Sequence, residues 1–134
     1  MKSDLTAELR KGKETVLLID DDDMVADVGK QILMKSGYDV VSAKSGKEAI
    51  EVYKENQDRI DMAVLDMILP DMGGGDTYDR LKEINPKIKV LLASGYDIDY
   101  QARDIMERGC DGFIQKPFNM GELLEKTREI LASK

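Results

Sequence analysis

Four short strand-like runs in this 134-residue chain each end at side chains able to do chemistry. Residues 15–19 run into Asp20 and Asp21, residues 62–65 into Asp66, residues 89–93 into Ser94, and residues 112–115 into Lys116. Carboxylates brought to one place repel, and a single pair about 4 Å apart costs on the order of 4 kcal/mol at an effective dielectric of 20. Such a cluster needs a cation. With oxygen donors alone and room for water, the hard ion of choice is Mg²⁺, because Zn²⁺ lacks its usual nitrogen or sulfur partners here. A carboxylate at that position, Asp66, is a candidate nucleophile toward a phosphoryl group, whose equatorial oxygens the metal and Lys116 would neutralise.

Composition removes most other chemistries. There is no His, which excludes a phosphohistidine, a Ser-His-Asp or Cys-His nucleophile, and any His-ligated metal within the chain. The formal net charge of −7 offers no electrostatic footprint for nucleic acid or an anionic membrane surface. Cys110 is the single cysteine, cannot form an internal disulfide, and sits beside Gly109 with no cationic neighbour to activate it, so it reads as packing. No apolar run approaches the roughly 20 residues that span a bilayer, and the first residues lack the apolar core of a signal peptide. The expected compartment is the cytoplasm.

The polar residues need a scaffold that places them together. Residues 15–19 form a run of the kind buried on both faces of a sheet, and a helix over residues 23–36 should follow, burying Val25, Val28 and Ile32 and ending at Gly37 as a left-handed cap. A second strand at 38–42 leads to Ser45-Gly-Lys-Glu48, whose capping-box spacing opens a helix burying Ala49, Ile50 and Tyr53. The third strand, 62–65, is followed by a helix expected to be capped by Asp76, to run through Tyr78, Leu81 and Ile84, and to end at Asn85-Pro86. A fourth strand at 89–93 and a helix carrying Ile98, Ala102, Ile105 and Met106, closed by Gly109, come next. Residues 112–115 make a fifth strand, and Asn119 with Glu122 repeats the capping box before a last helix burying Leu123, Leu124, Thr127, Ile130 and Leu131.

Strands and helices that alternate about every 25 residues predict an α/β protein: a doubly wound, five-stranded parallel sheet with helices on both faces. In the order 2-1-3-4-5, strands one and three flank the switch point where ligands bind, and strand two, which ends in nothing reactive, lies at an edge. Residues 15–134 would form this one domain, and the polar residues 1–14 a linker or extension.

Each residue has an ordinary role if taken alone. Asp22 and Asp23 suit the first turn of a helix, Asp71 a turn, Ser94 a turn and Lys116 the surface. Their joint placement at strand ends is what argues for a site.

At this point the residues resemble a known family, the receiver domain of two-component response regulators. The matching motifs are Val-Leu-Leu-Ile-Asp20-Asp21-Asp22, Leu-Asp66-Met-Ile-Leu-Pro70-Asp-Met-Gly, Leu-Ala-Ser94-Gly and Gln-Lys116-Pro117-Phe, and the likeness covers about residues 15–131. The strand order above is itself the receiver order, so it is not independent of the resemblance. The resemblance implies that Asp66 is the phosphoacceptor and that Asp20, Asp21, Asp66 and the backbone carbonyl of Ile68 hold Mg²⁺. It further implies that Ser94 follows the phosphoryl oxygen, Lys116 pairs with it, Phe113 is the switch aromatic, and the Lys116-Pro117 bond is cis. Ser94 stands where Thr is more frequent, Gly95 where Ala is usual, and Phe113 where Tyr is usual.

The expected activity is therefore signalling rather than metabolic catalysis. A sensor histidine kinase or phosphotransfer domain would donate the phosphoryl group to Asp66, and the face of the fourth helix, fifth strand and fifth helix would switch to bind an effector or output domain, or a second copy weakly. One alternative is a receiver-like interaction module that takes no phosphate. Another is an aspartyl-nucleophile phosphatase resembling the haloacid-dehalogenase family, which wants a second Asp where Ile68 stands. The Ser94-Gly-Tyr96 and Phe113-to-Phe118 stretches look like receivers attached to hybrid sensor kinases.

Overall fold

The computed structural model describes residues 14–95 and 100–133. Five strands and five helices alternate: β1 (Thr15–Ile19), α1 (Asp23–Lys35), β2 (Asp39–Ala43), α2 (Gly46–Asn56), β3 (Ile60–Asp66), α3 (Gly74–Ile84), β4 (Val90–Ser94), α4 (Tyr100–Glu107), β5 (Gly112–Gln115) and α5 (Met120–Ala132). All strand pairs are parallel and the order is β2-β1-β3-β4-β5, as predicted.

The central strands are almost wholly apolar because both faces are covered, the exposed Asp61 near the start of β3 being an exception. Leu17, Ile19, Ala63, Leu65 and Leu92 pack under α2, α3 and α4 with Tyr53, Tyr78, Leu81 and Ile105. Val16, Leu18, Met62, Val64 and Leu91 face the other way, toward α1 and α5, with Ile32, Leu33, Leu123 and Ile130. Each fully buried aliphatic side chain of this kind contributes roughly 1.5–3 kcal/mol relative to exposure. Alternation along each strand thus feeds two cores and leaves the strand ends for polar groups.

The helix boundaries follow capping chemistry. Ser45 accepts from the amide of Glu48 at 3.0 Å, while the Glu48 carboxylate reaches the amide of Lys44, at 2.8 Å, rather than that of Ser45. Asn119 accepts from the amide of Glu122 at 3.0 Å. Gly37 and Gly109 adopt φ values of 97° and 104°, which their lack of a Cβ permits, and each closes a helix with paired bonds to carbonyls of the last turn.

Three expectations need correction. Val28 is 48% exposed; the buried stripe of α1 is Gly29, Ile32 and Leu33, and the Phe118 ring comes within 3.0 Å of where a Cβ on residue 29 would sit. Asp76 does not cap α3, which starts two residues earlier behind Gly73 with no side-chain cap, so Asp76 lies in its first turn. Asp22 caps α1 by accepting from Met24 and Val25 amides, leaving Asp23 in the first turn. Ile98 lies outside the described residues. Among the described residues no helix is long and apolar enough to cross a membrane.

Candidate functional site: an acidic crevice bridged by Lys116

Register alone levels the key residues. Ile19 pairs with Leu65, so the next residues, Asp20 and Asp66, stand side by side at the carboxyl ends of β1 and β3. Asp66 pairs with Ala93, which sets Ser94 one residue beyond it on β4, and Ser94 pairs with Gln115, which delivers Lys116 one residue further on. The amide of Lys116 donates to the Ser94 carbonyl at 2.7 Å, extending the β4–β5 ladder to the crevice. The Lys116-Pro117 bond is cis.

Asp20, Asp66 and Ser94 are all buried. The Lys116 ammonium lies 3.0 Å from Asp20 Oδ2 and 3.2 Å from Asp66 Oδ2, bridging the two strands. Asp20 Oδ1 accepts from the Asp22 amide at 2.9 Å, and Asp66 Oδ1 from the Ile68 amide at 3.3 Å. Burial, then the neighbouring Asp20 charge, pushes the Asp66 carboxyl above its ordinary range, against the pull of Lys116. Burial alone would lower the Lys116 ammonium, but the hydrogen bond to Asp20 and the charges of both acids outweigh it and hold it above the usual lysine value.

Asp21 is exposed, and one oxygen each from Asp20, Asp21 and Asp66 lie within 4.8 Å of one another. Three carboxylates against one ammonium leave a formal charge of −2 in the crevice, the complement of a divalent cation. The donors are all oxygen, two are buried, and the third faces solvent where metal-bound water could remain; this fits Mg²⁺.

The structure brings together Asp20, Asp21, Asp66 and Lys116, with Ser94 buried at the next strand end. Ile68, whose side chain is 60% exposed, follows in the β3–α3 loop. Phe113 sits apart, half-buried on β5 beside Leu92 of β4 and packed against the core under α2, α3 and α4. None of the three glycines after Asp66 has a positive φ; a Cβ on Gly74 would lie 2.6 Å from the Met67 Cα and one on Gly75 2.9 Å from Gln101, whereas nothing lies within 4 Å at Gly73. Cys110 is buried with its thiol donating to the Val90 carbonyl at 3.2 Å, and burial pushes that thiol up, as expected of an inert cysteine.

One residue does more than its sequence position suggests. Asp71 accepts from the amides of Gly46 and Lys47, both at 2.9 Å, across to α2. These bonds hold its carboxyl below the usual range. The signal lay in α2 itself, which begins with three donors and has one capping side chain, Ser45, of its own.

A doubly wound parallel sheet that gathers carboxylates and one lysine at its switch point defines an α/β protein with a polar ligand crevice. The chain belongs to the response regulator receiver domain family, whose family model matches residues 16–128. It is 37% identical over 120 residues to the sensor kinase CckA of Brucella abortus, covering 90% of this chain and 13% of that protein. It is 30% identical to the chemotaxis protein CheY of Bacillus subtilis, covering 87% of this chain and 96% of CheY. The chain therefore spans a small part of some relatives and nearly the whole of others. A chain of the CheX-CheY-BeF3-Mg²⁺ complex from Borrelia burgdorferi superposes with a TM-score of 0.83 at 25% identity, covering 89% of this chain and 90% of that one.

Proposed function

We propose that Asp66 is the phosphoacceptor of this receiver and that Asp20, Asp21, Asp66 and the Ile68 carbonyl hold Mg²⁺ during the transfer. The observation that carries this reading is the Lys116 ammonium bridging two buried carboxylates in a crevice of formal charge −2. A bound Mg²⁺ would supply charge neutralisation at the phosphoryl oxygens. The solved complex whose chain resembles this one contains BeF3 and Mg²⁺, ligands suited to such a crevice.

In the transfer, an Asp66 carboxylate oxygen attacks the phosphorus of a partner's phosphohistidine. A P–O bond forms as the P–N bond breaks, and the bond pair returns to the imidazole nitrogen, which takes up a proton. The chain has no His, so the donor must be another chain or domain, or a small acyl phosphate. Large apolar side chains exposed at the rim, Met24, Ile68 and Met120, suit contact with a protein donor.

Phosphorylation gives Asp66 roughly one extra negative charge and new acceptor oxygens. Lys116 then loosens from Asp20 toward the phosphoryl oxygens, and the Ser94 hydroxyl donates to them. Both residues end strands that lead into α4 and α5, so the face of α4, β5 and α5, with Phe113 on β5, shifts between two populations. A protein partner reads that face. Ile68 supplies no acid at the position a phosphatase of the haloacid-dehalogenase type requires, so Asp66 accepts phosphate without general turnover of esters.

Acetyl phosphate with Mg²⁺ should add the mass of one phosphoryl group to the intact protein, and Asp66→Asn should abolish the addition. No added mass, or equal labelling of Asp66→Asn, overturns the assignment.

A further inference from the structure

We propose that Asp71 is a positioning residue for the metal site, clamping the β3–α3 loop to the N-terminus of α2 and so fixing the Ile68 carbonyl. This rests on the Mg²⁺ reading above and extends it to a side chain outside the crevice.

Helix α2 begins with three amides that have no intrahelical acceptor, those of Gly46, Lys47 and Glu48. Its own cap, Ser45, takes Glu48. The other two point at the Asp71 carboxylate, which receives Gly46 on Oδ1 and Lys47 on Oδ2, 25 and 24 residues away in sequence. A carboxylate at a helix N-terminus also meets the positive end of the helix dipole. Asp71 therefore caps a helix to which it does not belong, and the bond ties the loop as firmly as it ties the helix.

The loop is pinned at its other points as well. Its closing bond runs from the Gly74 amide to the Met67 carbonyl at 2.9 Å, and Leu69 is buried in the core. Met72 packs so closely on Gly46 that a Cβ there would lie 2.3 Å from the Met72 Cγ. Ile68 lies between the Met67 closure and the Asp71 clamp, so its peptide plane is set by both. Releasing Asp71 leaves that plane held from one side.

Calorimetric titration of the full chain with MgCl2 tests the idea. Asp71→Ala should weaken Mg²⁺ binding by about tenfold, the low end of effects seen for groups that orient ligands, and Asp71→Asn, which keeps one acceptor oxygen, should fall between. Ser45→Ala removes a cap from the same helix without touching the loop and should leave the affinity unchanged. Asp71 is exposed, so high salt screens any direct attraction between its charge and the ion, and the loss must persist there. In metal-free protein, amide exchange at Gly46 and Lys47 should quicken in Asp71→Ala. If wild type binds Mg²⁺ and Asp71→Ala binds equally well, or if Ser45→Ala loses as much, this inference is overturned alone. A wild type that binds no Mg²⁺ overturns the site reading and this one with it.

Discussion

Replacing Lys116 by Met keeps the aliphatic stem and removes the ammonium that sits 3.0 Å from Asp20 and 3.2 Å from Asp66. At an effective dielectric of about 20, each contact is worth about 5 kcal/mol in gross attraction. Much of that is offset because the buried ammonium no longer has to shed water, and breaking a buried pair typically leaves a net cost of about 3–5 kcal/mol. The lower end applies here, since the crevice opens to solvent at the exposed Asp21 and water can reach the acids left behind. We expect Lys116→Met to lose about 3 kcal/mol at pH 7.5 without divalent cations, or about 10 °C in melting temperature for a chain of this size.

The sign of the pH dependence follows from Asp66. A carboxyl whose folded pKa is raised favours the fold when protonated; that contribution is full below the unfolded value of about 3.9 and is lost as pH rises through the folded value. Removing Lys116 raises the carboxyl further, so the deficit of the variant should be smaller at pH 5 than at pH 7.5, while the lost Asp20 contact keeps it below wild type at both. The raised Lys116 ammonium contributes stability that is present below its unfolded value of about 10.4 and lost above it, so it stays charged throughout this window. Urea unfolding at both pH values with a chelator present, then with Mg²⁺ added, reads the effect, and Mg²⁺ should narrow the gap. A variant as stable as wild type at pH 7.5 without metal would refute the argument.

Gly74→Ala should cost about 2–3 kcal/mol in urea unfolding, because its Cβ would meet the Met67 backbone at 2.6 Å and the Asp66 carbonyl at 3.0 Å. Gly95→Ala should change stability by less than about 0.5 kcal/mol, since nothing lies within 4 Å and its φ is not positive. Tyr78, buried near Cys110 and Asp111, is pushed up to about 12 despite the Arg108 guanidinium 5.6 Å from its ring. Alkaline absorbance titration should show a late phenolate step that Tyr78→Phe removes. The Tyr78 contribution to stability holds below the ordinary phenol value of about 10 and is lost as pH rises through the folded value.

The sheet and most of its crevice were legible because a strand buried on both faces is apolar for its whole length, and the first polar residue marks where it leaves the core. That rule located Asp20, Asp66 and Ser94; in β5 it points to the exposed Gln115, with Lys116 the next residue. It works less well on helices. Val28 fits the apolar period of α1 yet is exposed, while Gly29, which periodicity cannot score, is buried against Phe118. Asp76 had cap spacing, but α3 begins earlier because Gly74 must approach Met67. Asp71 read as a turn residue because its partners are in another element, and a local motif carries no information about a bond formed 25 residues away.

The double attachment of Lys116 has a consequence for where a signal surfaces. Its side chain is anchored in the acids of β1 and β3, while its own amide makes a rung with Ser94 at the margin of the sheet. Among the described residues no strand lies beyond β5, so the outer ribbon of the sheet is fastened directly to the two buried carboxylates, Asp20 and Asp66. A partner laid along that margin would be one covalent residue away from the event it monitors, and very little of the protein would need to rearrange for the news to arrive.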